Sequence, residues 1–232
     1  MYIDWTYIVL VVPAVLFAAW ANQHVNSTYR KYQHQYSRRG ITGTQAARYV
    51  LDVNGLSNIR IEHMSGSMTD HFDPSTNTVR LSDGVYNNTS TAALGIACHE
   101  VGHALQHATG YAPIRLRTAI VPITSFGSRL ATPLLLVGLI LGSFSYIFTY
   151  VAYAGVLCFA LSTFFQLVTL PTEFNASKRA IRAIEVNHFL DGEELVGTRK
   201  VLTAAALTYV AALAVSLTQL IRFLIILNRR RR

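Results

Sequence analysis

Three apolar runs fix what this chain can become. Residues 2–21 read YIDWTYIVLVVPAVLFAAWA, residues 119–170 continue almost without charge, and residues 201–227 contain neither Gly nor Pro. The hydrocarbon core of a bilayer is about 30 Å thick, and about 20 apolar helical residues cross it. The first run is therefore one crossing, the second is two with a bend at Gly142-Ser143, and the third is one long helix. With 51% hydrophobic and 14% charged residues, the chain lies outside the ordinary composition of soluble domains. The reading is a mainly α membrane protein with about four transmembrane helices, at 1–22, two within 119–170, and 201–228. A basic tail follows at 229–232, and segments 23–118 and 171–200 are left for water. Asp4 and Trp5 near the start, with no cationic leader and no small-x-small site, make the first run a retained anchor and not a signal peptide.

Charge speaks to orientation. Arg30, Lys31, Arg38, Arg39, Arg115, Arg117, Lys178, Arg179, Arg182, Arg199 and Lys200 fall in or beside the two water-side segments. Positive loops stay in the cytoplasm, which puts both segments there. Four crossings would then leave Arg229–Arg232 outside, so the rule favours a cytoplasmic site by eleven residues against four. That terminal run sits beside an apolar helix and reads as a headgroup anchor, not as a contact for nucleic acid. Cys98 and Cys158 lie in unrelated settings and predict no disulfide.

Within 23–118, Thr42 or Thr44 caps a short helix whose Ala46, Ala47, Val50 and Leu51 share one face, and Asn54-Gly55 ends it. NIRIEHM (58–64) and NTVRLS (77–82) alternate apolar and polar residues as half-buried strands do, which predicts a short antiparallel β-sheet. The stretch between them, including Asp70, His71 and Asp73 before Pro74, has the composition of a turn-rich loop. A further helix starts near Asn88–Ser90 and stops before Gly110, with Ala93, Ala97, Val101, Ala104 and Ala108 on its buried face.

That last helix carries HEVGH. His99 and His103 stand one turn apart on one face, as two ligands of a single ion must, and Glu100 flanks them where it can take a proton from a water. A chain with 8 His and this little Glu yields the pattern by chance roughly 0.007 times, so a metal site is the stronger reading than paired core histidines. Catalytic zinc takes three protein ligands and a water. His107 lies about 12 Å along the axis from His99, too far for one ion on a straight helix. A metzincin histidine would fall at Thr109, with glycine where Gln106 stands, so that class is excluded. Asp191, in FLDGEEL, reads as a turn residue before Gly192. Glu173 is the remaining candidate: Pro171 can open a helix with Glu173 in its first turn, though a carboxylate at a helix N-terminus needs no metal to explain it.

Several ordered blocks decide between these. GLSNIRIEHMSGSMTDHFDPSTNTVRLSDGVYNNTS, GIACHEVGHALQHA, LPTEFNASKRA and VLTAAALTYVAALA together resemble the neutral zinc membrane metallopeptidases of the YugP type. More distantly the chain is similar to the HtpX and prenyl-peptide membrane proteases. The resemblance implies a small gluzincin-like zinc-protease domain built from 23–118 and 171–200. It implies Zn2+ held by His99, His103 and Glu173, and Glu100 as catalytic base. Where the distant relatives carry an acidic residue four places after the ligand Glu, this chain has Ser177, a candidate for orienting a ligand histidine. His188, Arg182 and Tyr209 are candidates for stabilising an oxyanion. The implied substrates are peptides or proteins, membrane proteins and juxtamembrane segments among them. The implied surroundings are a lipid bilayer. The alternative is a zinc-binding membrane scaffold without catalysis.

Overall fold

A computed structural model describes residues 5–142 and 144–230. Asp4, Ser143, Arg231 and Arg232, which enter the sequence expectations, lie outside the described residues. Among the described residues, four helices are long and apolar enough to cross a membrane, as the runs predict. The first is α1 (Val12–Tyr32), which follows a π-helical turn at Tyr7–Val11. Pro13 accounts for that turn, because its ring crowds the carbonyl four residues back and its nitrogen donates nothing, so the ladder widens just before it. The others are α4 (Ala112–Leu141), α5 (Tyr146–Val186) and α6 (Glu193–Arg230).

The chain divides into two compact units. One comprises residues 1–21, 115–170 and 208–232, and the other 22–114 and 171–207. In the first unit Leu135, Ala152, Val156 and Leu227 form a small core. Gly138 and Gly155 there let α4 and α5 run backbone to backbone.

The second unit holds α2 (Gly43–Val53), β1 (Arg60–Met64), β2 (His71–Asp73), β3 (Thr78–Ser82) and α3 (Thr91–Ala108). Thr42 caps α2 in a full capping box with Gln45, and Ala46, Ala47, Val50 and Leu51 are all buried. Ser90 caps α3 by accepting from the Ala93 N–H. Ala93, Ala97, Val101 and Ala104 face the core as expected, but Ala108, on the last turn, is exposed. These helices close over Val79 and Leu81 of β3 and over Ala180 and Ile184 of α5.

The sheet corrects the antiparallel expectation. Its order is β1-β3-β2, with β1 parallel to β3 and β2 antiparallel to it. The intervening loop supplies the third strand, and its residues set the directions. The Asp70 carboxylate accepts from both the N–H and the hydroxyl of Ser82, at 2.7 and 2.8 Å, which pins the returning chain to one side of β3. The Asp73 carboxylate then accepts from the Ser75 N–H and from the Ser75 and Thr76 hydroxyls to make a tight turn into β3. Only the other edge of β3 remains for β1, and the chain meets it running the same way. Flanked on both sides, β3 is buried nearly throughout and not half-buried.

A second correction concerns Pro171. It does not open a helix; α5 runs through it without a break. The missing N–H leaves one carbonyl in the ladder without its usual donor, a cost of about 3 kcal/mol in a helix interior, and helices with apolar stretches carry such prolines more often than soluble ones. Glu173 is therefore in the middle of a helix, and a helix N-terminus cannot account for it.

Candidate metal centre

The phase of α3 sets His99 and His103 side by side, their ring centroids 4.8 Å apart. The Glu173 carboxylate reaches them from α5: its Oε2 lies 3.3 Å from Nε2 of His99 and 3.6 Å from Nε2 of His103. All three side chains are largely enclosed, Glu173 to the point of 3% exposure. Donors held 2.0–2.1 Å from a tetrahedral zinc ion stand about 3.3 Å apart, close to both imidazole–carboxylate separations, and all three ligand atoms lie within 4.8 Å of one another, so the group could hold one ion. Among the described residues they are the one group of three such side chains that could.

The α3–α5 approach that permits this rests on Gly102. A Cβ at that position would lie 2.7 Å from the Ala176 carbonyl oxygen and 3.2 Å from its Cα. No larger residue fits without moving α5, and Glu173 with it.

Each imidazole is held from behind. Nδ1 of His99 is 3.1 Å from the Ser177 hydroxyl, and Nδ1 of His103 is 3.0 Å from Oε1 of Gln106. With Nε2 offering its lone pair to a metal, Nδ1 carries the proton and donates it to these oxygens. Gln106 is fully buried, and its amide donates to the Thr172 carbonyl and to Oδ1 of Asn175, which also accepts from Arg179. Burial works against a charge on His103, but Glu173 and Glu100 outweigh it and raise its pKa. A cation in this place therefore meets a favourable field.

Glu100 is buried on α3 next to His99, and its Oε2 accepts from the Phe72 N–H at 3.1 Å. Phe72 stands opposite Val79 in the register, with its N–H turned away from β3 and toward Glu100, as alternate residues of an antiparallel edge strand are.

The other sequence candidates lie elsewhere. His107 packs its ring against Phe72, 5.5 Å between centroids. Asp191 is exposed in the turn after α5, 3.6 Å from Arg39 and 3.9 Å from the equally exposed His188. Arg182 is exposed on α5 and lines clefts there, while Tyr209 belongs to the other unit and is 38% exposed. Sequence reasoning missed Gln106, Asn175, Gly102 and the Phe72 backbone. Gln106 had a legible signal, since it stands three residues after His103 on the same face. Asn175 had only its match to a glycosylation triplet.

Residues 7–228 match the protein family described as "Putative neutral zinc metallopeptidase". A Bacillus subtilis (strain 168) protein named "Putative membrane protease YugP" is 45% identical over 220 residues, covering 95% of this chain and 96% of that protein. No solved structure matches the chain. The chain belongs to this neutral zinc metallopeptidase family, and zinc is its cofactor.

Proposed function

We propose that membership of this family takes a gluzincin-like form here: a membrane zinc endopeptidase in which His99, His103 and Glu173 hold the ion and Glu100 is the general base. The observation that carries this reading is the Glu173 carboxylate within 3.3 and 3.6 Å of the paired imidazole nitrogens, with Glu100 on the adjoining residue of α3. When bound, zinc supplies Lewis acidity, lowering the pKa of a water from about 15.7 to about 7 and polarising the scissile carbonyl. Ser177 and Gln106 hold the histidine tautomers that leave Nε2 free to ligate. Glu100 accepts a proton from the attacking water and delivers it to the leaving amine. The Phe72 N–H keeps the carboxylate aimed. An extended peptide pairs with the outer edge of β2, which brings its backbone past Glu100. Substrates are unfolded membrane proteins and juxtamembrane segments, and the site faces the cytoplasm, the side that eleven cations in and beside the water-side segments favour over the four at Arg229–Arg232.

The deciding experiment measures zinc content and cleavage of an unstructured protein by the purified full chain, as wild type and as Glu100→Gln. The expected result is one zinc in both and a rate loss of about 10²–10⁴-fold in the variant. Equal cleavage by both removes Glu100 from the mechanism. Zinc without cleavage of any substrate by the wild type leaves the inactive scaffold as the better reading.

A further inference from the structure

A cleft of about 630 Å³ between the water-side lengths of α1 and α6 has no part in the metal centre. Lys31 on α1 and Arg199 and Lys200 on α6 line it, and no carboxylate does. Arg199 is ion-paired with Glu185 on α5. Among the described residues, Lys31 and Lys200 have no carboxylate in ion-pair range, and Lys31 instead stands over the Tyr32 ring at 5.5 Å. Two exposed ammonium groups thus line one hollow with no carboxylate among its lining residues, and such a lining favours an anion.

The lining residues also straddle a boundary. The apolar stretch of α1 ends at Ala21, and the same helix continues through His24 and Thr28 to Lys31. On α6 the apolar run begins at Val201, so Lys200 precedes it directly while Thr203 and Ala204, which also line the cleft, belong to it. One side of the hollow is charged and the other begins the apolar length. An amphiphile with an anionic head matches both sides, whereas a free anion uses only one.

We infer that this cleft binds the phosphate of an anionic phospholipid, with Lys31 and Lys200 pairing with its oxygens. Basic pockets between membrane helices recognise such headgroups. A zwitterionic lipid brings its own ammonium group into a site that is already cationic and is disfavoured. The site does not depend on the peptidase reading, because it uses none of its residues.

The test reads lipid occupancy of the full chain. Purified protein is titrated with short-chain phosphatidylglycerol or phosphatidylcholine and the bound lipid counted by native mass spectrometry. Lys31→Gln/Lys200→Gln is compared with Lys178→Gln/Arg60→Gln, which loses the same charge elsewhere, and with Lys31→Arg/Lys200→Arg. The expected result is a preference for phosphatidylglycerol that falls roughly 20- to 30-fold in the first variant and persists in the other two, with zinc content unchanged in all. Equal binding of both lipids by the wild type overturns the inference, as does equal loss in the two glutamine variants. Displacement of the lipid by millimolar inorganic phosphate marks a free-anion site and overturns the lipid assignment.

Discussion

Gly102 on α3 faces the backbone of Ala176 on α5, and Gly138 on α4 faces that of Ala152, also on α5. A methyl group at either glycine would lie 2.7 Å from the Ala176 oxygen or 2.4 Å from the Ala152 nitrogen. The two contacts use the same device in different surroundings. Gly138 meets Ala152, which belongs to a small apolar core with Leu135 and Val156, and the close approach yields van der Waals contact between apolar helices. Around Gly102 they are the groups that hold the histidines, with Ser177 against His99 and Gln106 bridging His103 to Thr172 and Asn175. There the separation of the helices is also the separation of the two histidines from Glu173, the proposed zinc ligands. A small residue in one seam governs cohesion; in the other it governs coordination.

The largest expected effect tests whether α5 supplies a ligand at all. Glu173→Ala should weaken zinc binding by more than about 100-fold, beyond the range seen when only an outlying partner of a ligand is lost. Competition with a chromogenic chelator measures it, and affinity retained within tenfold would dissolve the contrast. Next comes the pair of glycines. Overpacking costs about 1–3 kcal/mol, so Gly102→Val should lose roughly 5- to 150-fold in zinc affinity. Gly138→Val should cost a similar energy in stability, read as a lower unfolding temperature, while folded protein binds zinc as before. Equal zinc loss in both would mean that the seams are not distinct. Ser177→Ala should cost about tenfold in zinc affinity, since it frees only the far side of His99; an unchanged affinity would make that hydroxyl incidental.

The smallest effect belongs to the sheet's turn. Hydrogen bonds from the Ser75 hydroxyl, then Arg80, Thr76 and the Ser75 N–H, hold the Asp73 carboxyl well below the usual carboxylate range. A group depressed on folding contributes stability above its unfolded pKa, near 4, and that contribution fades as pH falls toward the folded value. Asp73→Asn should therefore be less stable than wild type at pH 7, with the gap closing below about pH 4. Melting curves across that interval check it, and a gap that widens in acid would reverse the sign.

The helices were legible because their signals are local. The caps at Thr42 and Ser90, the stop at Gly110 and the His-Glu-His phase each lie within a few residues of what they determine. Strand direction was not, because alternation of apolar residues assigns a face and says nothing of a partner; it took the Asp70–Ser82 bonds to decide it. Pro171 misled because its cost was read as a boundary, when the surrounding helix absorbs it. The pairing of Gly102 with Ala176 joins distant segments whose fit depends on shape, and shape leaves no periodicity to count.

The bond from the Phe72 N–H to Glu100 has a practical corollary for anyone dissecting this chain. Asp70 and Asp73 hold the two ends of β2 to β3, and the side chain of Glu100 tethers its middle from the outer side. Truncating Glu100 to alanine would cut that tether along with any chemistry, confounding two kinds of defect in one phenotype. Glutamine keeps an amide oxygen facing the strand while surrendering the basicity, and so it alone separates architecture from reactivity.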